Sequence, residues 1–468
     1  MSGFGIRGVV EGFYGTPFAH EDRLWLLERM ARWRMNTYVY APKDDPFHLA
    51  RWREPYPRER MAEFRALVQA GERAGVRVGF AVSPGRSIVY SDRGDRTALV
   101  AKLGALHALG ARVLSLAVDD VPTSLIHDAD RRAFRSLADA QLMLLRELQD
   151  AFGRDSLLWL CPTDYLGVAA TDYLEEIGER LDASVEVAWT GRTVVSPEIR
   201  AEEAASRAAT LRRRVLVWDN TPVSDGPMRC MLHLNPYTGR DRELDAHVSG
   251  VLLNPMEHAR ASAVTLGCAA SYLCDPRGYD AERAWERAVD ELGGDVAPSL
   301  RLFAHAHRFS ALTPLERDRE LERALECPTE KLEELEALVA ARLGANVALR
   351  SGLADARLRA ELEPWLDSHA AETRRMRAAL GALRALASAE PRSARVLAFF
   401  AFEGKLTREP LPGVASYGPR RVLYPQLASM RDETMGFGAD PALYTDRCLS
   451  DELVRRVEKS ALEAFSAR

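Results

Sequence analysis

The sequence lacks the features that would place the protein in a membrane or direct its export. None of its 468 residues belong to a run of 18 apolar residues, the length a transmembrane helix needs. The N-terminal MSGFGIRGVVEGF has neither a basic region with a long apolar core nor a cleavage site. We therefore expect a soluble globular protein in the cytoplasm with no membrane partner.

The sequence also lacks an excess of positive charge, and lysine is scarce. The formal net charge is −5, so there is no electrostatic attraction to nucleic acid, and we predict no nucleic-acid partner. Nearly all basic residues are arginine, because lysine occurs only at positions 43, 102, 331, 405 and 459. A lysine in such a chain raises the question of why arginine would not serve there.

Metal-binding and disulfide patterns are missing as well. No two cysteines have the C-x-x-C spacing, and reduced, mostly buried thiols fit this scatter better than a disulfide framework or a zinc site. The six cysteines are Cys161, Cys230, Cys268, Cys274, Cys327 and Cys448. His305 and His307 lie two residues apart on a predicted helix, so they point to different faces. We predict neither a metal nor a cofactor.

What the sequence does contain is a regular alternation of strand-like and helix-like segments up to about residue 275. The predicted strands are Ile6–Val10, Thr37–Tyr40, Val76–Val82, Val113–Val118, Leu157–Leu160, Val185–Trp189, Val215–Trp218 and Gly250–Leu253. Helical segments separate them, among them a long helix over Asp130–Phe152 and a last one over Glu257–Leu273. Eight such units without G-x-G-x-x-G after the first strand favour an α/β fold of the (β/α)₈ TIM-barrel type over an open doubly wound sheet.

The composition changes after about residue 280. From there the chain is rich in Ala, Leu, Glu and Arg with helical spacing, as in Leu332–Leu343, Ala371–Leu386 and Asp451–Phe465. Between 404 and 446 Pro, Gly, Tyr and Arg become frequent, which predicts an ordered loop. We therefore predict a barrel domain over 1–280 and a helical C-terminal domain over 281–468.

Two adjacent carboxylates, Asp119 and Asp120, end the buried strand run LSLAV. A TIM barrel builds its active site at the carboxyl ends of its strands, so these residues are the catalytic candidates. The alternative is that one Asp caps the next helix while the other is solvated. Other strand ends carry polar or aromatic residues suited to a sugar, each of which alone could be a cap, a turn or a packing residue: Tyr14, Lys43, Tyr165, Trp189, Trp218, Asn220 and Asn254.

A family resemblance rests on these same strand ends. The blocks GVVEGFYGTPF, NTYVYAPKDDPFHLARWREPY, AVSPG, the Asp119-Asp120 pair, CPTDY, VAWTG, VWDN and LLNP occur in this order. They resemble the catalytic domain of glycoside hydrolase family 84, which contains protein O-GlcNAc hydrolases and related β-N-acetylglucosaminidases. The resemblance covers about residues 5–275. Beyond 280 only the presence of a helical domain is similar.

The resemblance implies hydrolysis with retained anomeric configuration and assistance from the substrate. The carbonyl oxygen of the sugar's 2-acetamido group attacks the anomeric carbon, so the enzyme supplies no nucleophile. Asp119 would accept the acetamido N–H, and Asp120 would protonate the leaving oxygen and then deprotonate water. This requires a charged Asp119 and a protonated Asp120, which we expect from the neighbouring charge and from burial.

Adjacent residues of a strand face opposite sides. Asp119 and Asp120 can therefore serve one pocket only if the strand ends there, and we expect Val121-Pro122 to turn the chain away.

The same resemblance implies contacts around the acetamido group and the sugar ring. The backbone of Gly12 would lie against the sugar, and Lys43 would hydrogen-bond a sugar hydroxyl, which suits a compact ammonium better than a planar guanidinium. Tyr165 would lie near the acetamido pocket. Trp218 would form an aromatic wall around the acetamido methyl group.

Further implied contacts come from the last two strands. Asn220 would hydrogen-bond around the sugar, and Asp225, five residues later, would bind a hydroxyl. Asn254 would also contact sugar hydroxyls. Tyr14 is expected to line the pocket.

Three functions remain open at this stage. The resemblance implies an exo-β-N-acetylglucosaminidase acting on β-GlcNAc-bearing proteins or small glycosides. An endo-acting, hyaluronidase-like enzyme would need an open cleft with several subsites. A non-catalytic barrel that binds GlcNAc would be favoured if Asp119 or Asp120 were replaced, and both are present.

Overall fold

The barrel is closed by eight parallel strands that pair in chain order, with β8 against β1. The structure is a computed structural model that describes residues 3–152, 155–308, 319–326, 331–387, 401 and 449–466. The strands are β1 Ile6–Glu11, β2 Thr37–Tyr40, β3 Arg77–Val82, β4 Val113–Ala117, β5 Leu157–Cys161, β6 Glu186–Trp189, β7 Val215–Asp219 and β8 Val248–Leu253. The predicted TIM barrel is confirmed, and each strand end lies within two residues of its predicted position.

Helices occupy the crossovers between the strands, as parallel pairing requires. They are α1 His20–Arg32, α2 Arg58–Ala74, α3 Arg93–His107, α4 Asp128–Ala133, α5 Leu137–Phe152, α6 Asp172–Arg180 and α7 Ala201–Leu211, and a further helix, α8 Ala263–Cys274, follows β8. The strands are buried on both faces, which explains why their sequences read as continuous apolar runs.

Several side chains inside the barrel are small at the carboxyl ends of its strands. Ala41, Ala81, Ala117 and Cys161 belong to the apolar cluster inside the barrel, together with the larger Trp159. Small side chains at this end leave room for a pocket at the mouth. This end of the barrel is where the polar residues follow the strands.

Two predicted helices differ from the observed ones. The predicted helix over Asp130–Phe152 is two helices, α4 and α5, because the backbone at Phe134 is extended. A second helix begins after it, where the Ser136 hydroxyl accepts a hydrogen bond from the amide of Asp139. The predicted helix over Glu257–Leu273 begins only at Ala263. The segment before it forms turns whose backbone amides bind carboxylates from elsewhere.

The described chain after α8 is mostly helical, with short turns between the helices. The helices are α9 Ala281–Gly293, α10 Ala297–His305, α11 Arg319–Glu326, α12 Leu332–Gly352, α13 Ala356–Ala387 and α14 Leu449–Ser466. The predicted loop at 404–446 lies outside the described residues. In the described part of the chain, no helix combines the length and apolar character needed to cross a bilayer.

One apolar cluster joins the barrel to these later helices. It extends from the barrel helices through Leu300 of α10 to Leu358 and Trp365 of α13. Glu361 of α13 accepts the amides of Arg260 and Ala261 in the segment that leads from β8 to α8, at 3.1 and 2.9 Å. Burial raises the pKa of Glu361 to about 7. A domain boundary at residue 280 stays a prediction, since this packing continues across it.

A buried ion pair fixes the chain between β1 and α1. Arg23 meets both carboxylate oxygens of Glu11 at 2.8 Å, and each residue is at most 1% exposed. Glu11 also accepts the Phe18 amide and the Tyr38 hydroxyl. The pair therefore ties the loop after β1, which reaches the mouth, to α1 and β2.

Replacing Arg23 by Met should destabilise the protein strongly. The change leaves the Glu11 carboxylate buried without its cation, which typically costs about 3–5 kcal/mol. Urea unfolding followed by tryptophan fluorescence measures the loss. Arg51→Met is the matched control, because the Arg51–Glu54 pair is exposed and is worth at most about 1 kcal/mol. Equal small losses for both variants would contradict the structural role of the Glu11–Arg23 pair.

Candidate active site

The structure brings every site residue predicted from the sequence to the carboxyl end of the barrel. These residues follow six different strands, so the barrel alone makes them neighbours. They are Gly12 after β1, Lys43 after β2, Asp119 and Asp120 after β4, Tyr165 after β5, Trp218, Asn220 and Asp225 at and after the end of β7, and Asn254 after β8. Their individual roles stay predictions.

Asp119 is a buried carboxylate with one oxygen paired. Lys43 Nζ lies 2.5 Å from Asp119 Oδ2. Asp119 Oδ1 is buried, and it has no hydrogen-bond partner among the described residues. Burial lowers the pKa of Lys43, but Asp119 and Asp120 outweigh it and keep that pKa above its ordinary value. Lys43 is therefore a cation that lies in hydrogen-bond contact with Asp119.

Asp120 has a left-handed backbone with φ of 54°. This conformation costs an ordinary residue about 1–2 kcal/mol, and Asp tolerates it better than most. Strand β4 ends at Ala117, before the two acids. The end of the strand and the turn at Val121-Pro122 therefore explain only in part why both acids reach one mouth. The left-handed backbone conformation of Asp120 is the other part of the explanation.

Two tyrosine hydroxyls hold the Asp120 carboxylate from opposite oxygens. Tyr14 donates to Oδ2 and Tyr165 to Oδ1, both at 3.1 Å. Burial and then Asp120 raise the pKa of Tyr14 to about 12, and burial raises the pKa of Tyr165 further. Both hydroxyls are therefore donors at neutral pH. The expected burial of Asp120 is wrong, because its side chain is exposed at the mouth.

A chain of amide groups forms the opposite wall. The Gly12 amide donates to Asn254 Oδ1 at 3.1 Å, and Asn254 Nδ2 donates to Asn220 Oδ1 at 2.9 Å. The indole of Trp218 donates to the same Asn220 oxygen at 3.1 Å. Asn220 Nδ2 in turn donates to the carbonyl of Val194. These bonds fix the side-chain amides of both asparagines and the plane of the Trp218 ring.

Gly12 is required by this wall. A Cβ at position 12 would lie 2.3 Å from Trp218 Cζ2, far inside contact distance. The ring of Trp218 therefore packs directly on the backbone of Gly12.

Carboxylates hold the loop that carries Tyr14. The amides of Tyr14 and Gly15 donate to Asp225 Oδ2 and Asp44 Oδ2 at 2.8 Å, and the Thr16 amide donates to Glu257 at 3.2 Å. Gly15 has φ of 132°, a backbone conformation in which glycine is favoured. Burial raises the pKa of Asp225. The loop is thus fixed across one side of the mouth.

Sequence reasoning missed Asp44 and Glu257. Asp44 lies within the block APKDD after β2, and Glu257 lies just beyond the block LLNP after β8. Their positions after strand ends were the available signal. Trp189 ends β6 at the carboxyl end of the barrel, as expected; its side chain is buried, and its indole donates to the carbonyl of Gly167 at 2.8 Å. The carboxylate of Asp219 in VWDN accepts hydrogen bonds from the side chains of Arg240 and Tyr237 inside the protein.

The mouth therefore offers two carboxylates in different surroundings. Asp119 is buried beside a cation, and its second oxygen can accept a hydrogen bond from an N–H donor. Asp120 is exposed between two hydroxyls, which suits a group that exchanges a proton with a reactant. Among the residues that the structure describes, no cluster of three His, Cys, Asp or Glu side chains could hold a metal ion.

Comparison with known proteins gives a consistent result. The family model described as beta-N-acetylglucosaminidase (NAGidase) matches residues 7–305. The protein O-GlcNAcases of Rattus norvegicus and Mus musculus are each 36% identical over 273 residues, which are 57% of this chain. The matched chain spans only 30% of the length of each of these relatives.

A solved structure is similar over nearly the full length. It is a mutant of the Thermobaculum terrenum O-GlcNAc hydrolase, with a TM-score of 0.83 and 29% identity over 99% of this chain and 97% of that one. The barrel, the order of the strand-end blocks and the match of more than half of the chain to one family model agree with the resemblance seen in the sequence. The chain belongs to the β-N-acetylglucosaminidase family of glycoside hydrolases, family 84.

Proposed function

We propose that this protein is a retaining exo-β-N-acetylglucosaminidase that removes β-linked GlcNAc from proteins or small glycosides. The observation that carries the proposal is the Asp119 carboxylate, which has one oxygen on Lys43 and the other buried without a partner among the described residues. An amide N–H of the substrate is the donor that this second oxygen needs. The acetamido group of GlcNAc supplies such a donor next to the anomeric carbon.

In the first step the acetamido N–H donates to Asp119 Oδ1, which orients the group. Its carbonyl oxygen attacks the anomeric carbon while the bond from that carbon to the leaving oxygen breaks. Asp120 gives its proton to the leaving oxygen. The product is an oxazolinium ion, whose positive charge the Asp119 carboxylate stabilises.

In the second step Asp120, now a carboxylate, takes a proton from water. The water oxygen attacks the anomeric carbon from the side that the leaving group vacated, and the bond to the acetamido oxygen breaks. The acetamido group is restored, Asp120 is protonated again, and the configuration is retained.

The remaining site residues divide between the hydroxyls and the acetamido group. Lys43, Asp225 and Asn254 bind sugar hydroxyls in this proposal. Tyr165 and Trp218 enclose the acetamido group, whose methyl packs on the indole. Asn220 fixes the Trp218 ring and Gly12 supports its face, as the bonds and contact at this wall suggest.

Exo action is favoured by the fixed loop that carries Tyr14. This loop is bonded to Asp225 through its backbone and to Asp120 through the Tyr14 hydroxyl, so it closes one side of the mouth. An endo-acting enzyme needs a cleft open at both ends. A purely binding barrel does not need the proton-exchanging surroundings of Asp120.

We further propose that the helices after residue 280 shape access to the mouth without taking part in the chemistry. Helix α13 supports this through Glu361, which binds backbone amides after β8, and through Trp365, which donates to the carbonyl of Cys230 at 3.1 Å. These contacts hold the segments that follow β8 and β7, which also carry Asn254 and Asp225. The cytoplasmic location stays a prediction from the sequence.

The two aspartates should respond differently to the leaving group. The wild-type enzyme should hydrolyse aryl β-N-acetylglucosaminides even in the presence of a chelator. Asp120→Asn should lose about 10²–10⁴-fold in kcat/KM on poor leaving groups, and much less on acidic phenols that need no proton. Asp119→Asn should be slow on all of them, because leaving-group acidity cannot replace the orientation of the acetamido group.

The measurement is kcat/KM for each variant across phenols of increasing acidity. A steep dependence for Asp120→Asn and a uniform loss for Asp119→Asn are expected. Identical slopes, or reversed ones, would show that the two roles are wrongly assigned.

Gly12→Ala should weaken sugar binding without unfolding the protein. The new Cβ displaces Trp218 from the acetamido wall, and we expect the KM for an aryl β-N-acetylglucosaminide to rise about tenfold, roughly the value of one lost methyl contact. Gly344→Ala is the matched control, because its Cβ meets nothing within 4 Å on the exposed face of α12. An unchanged KM for Gly12→Ala would contradict the position of Trp218 in the pocket.

A further inference from the structure

Arg207, in the middle of α7, is a buried cation without a carboxylate partner among the described residues. It is 1% exposed, and its Nε and Nη1 have no hydrogen-bond partner in the described part of the chain. Asp164 is close enough to raise the pKa of Arg207 through its charge. Its carboxylate, however, accepts a hydrogen bond from the Thr171 hydroxyl and not from Arg207. Burial lowers the pKa of Arg207, although a guanidinium stays charged. A buried cation without a carboxylate partner costs the folded protein several kcal/mol of stability. The role of its hydrogen bonds therefore needs an explanation.

Among the described residues, the hydrogen bonds of the Arg207 guanidinium come from one nitrogen and go to one short segment. Nη2 donates to the carbonyl of Leu166 at 2.8 Å and to that of Gly167 at 2.6 Å. These two residues directly follow Tyr165. Arg207 therefore acts on the backbone that carries the Tyr165 hydroxyl.

The segment 165–167 is held at every carbonyl. The carbonyl of Tyr165 accepts the Thr190 amide at 3.0 Å, and that of Gly167 also accepts the Trp189 indole at 2.8 Å. The Gly167 amide donates to the carbonyl of Gly191. Only the Leu166 carbonyl depends on Arg207 alone among the described residues. Without Arg207, the segment loses its hydrogen bonds to α7, and its backbone keeps the hydrogen bonds to the end of β6 and to the residues that follow it.

We propose that Arg207 is a positioning residue for the acid–base step, which it serves by holding the Tyr165 hydroxyl on the Asp120 carboxylate. This inference rests on the proposed function. Tyr165 donates to Asp120 Oδ1 at 3.1 Å, whereas Arg207 touches neither Asp120 nor the pocket wall described above. A displacement of the loop turns the hydroxyl away from Asp120, and displacements of about 1 Å at such positions can reduce turnover by about 10²-fold.

Arg213 provides a matched comparison at the other end of the barrel. It follows α7 and precedes β7, so it lies at the amino ends of the strands, where a TIM barrel is stabilised but does no chemistry. It also binds backbone carbonyls, those of Leu181, Asp182, Val185 and Leu211. Burial lowers its pKa as it does for Arg207. The two arginines thus share chemistry and differ in which end of the barrel they hold.

A double-mutant cycle tests the inference with an aryl β-N-acetylglucosaminide. Arg207→Met should lower kcat/KM about tenfold. In a Tyr165→Phe background, where the hydroxyl is already missing, the same change should have no further effect. Both single variants should show the same steeper dependence on leaving-group acidity, because both disturb the proton donor. Arg213→Met should lower the melting temperature and leave kcat/KM within about twofold of wild type.

Arg207→Lys should restore most of the activity. Both bonds come from one nitrogen, so a single ammonium can replace them. If Arg207→Met does not fold, Arg207→Gln runs the same cycle. Losses that multiply in the double mutant, or wild-type turnover by Arg207→Met, would overturn the inference. An inactive wild-type enzyme would instead overturn the proposed function, so the two failures are distinguishable.

Discussion

The carboxylate of Asp119 is the group on which the rest of the mouth depends, because it is buried and only one of its two oxygens has a hydrogen-bond partner among the described residues. One oxygen meets Lys43, and the other is buried without a partner in the described structure. A buried polar atom left unpaired costs about 1–3 kcal/mol, and a bound ligand with a suitable N–H recovers that cost. In the proposed function, the amide N–H at carbon 2 of the sugar is the donor that recovers this cost.

The second acid must lie beside the first without sharing its surroundings, and the barrel achieves this through the backbone. The left-handed conformation of Asp120 turns its carboxylate to the exposed side of the same mouth. Tyr14 and Tyr165 then fix it from two loops, which are held by carboxylates on one side and by Arg207 on the other. The left-handed backbone of Asp120 and the buried guanidinium of Arg207 thus both contribute to the surroundings of the carboxylate that we propose transfers the proton.

The sequence predicts the barrel well, because strands buried on both faces have continuous apolar runs and the acids that follow them mark the mouth. It cannot predict the backbone at Asp120, since a left-handed Asp leaves no pattern in the residues around it. Arg207 is hidden for a similar reason: an arginine in an amphipathic helix reads as a solvated residue, and only the fold shows that it points inward. The exposure of Asp120 and the restart of a helix at Ser136 likewise depend on contacts distant in sequence or on caps.

In the proposed mechanism, the substrate's acetamido oxygen, oriented by Asp119, is the nucleophile. The most direct measurement is kcat/KM for one aryl β-glycoside whose N-acetyl group carries zero, one, two or three fluorine atoms. Fluorine withdraws electrons from the carbonyl oxygen, so kcat/KM should fall steeply and continuously along this series. A flat series, accompanied by a sugar covalently bound to an aspartate in the mass spectrum of the enzyme, would contradict the account.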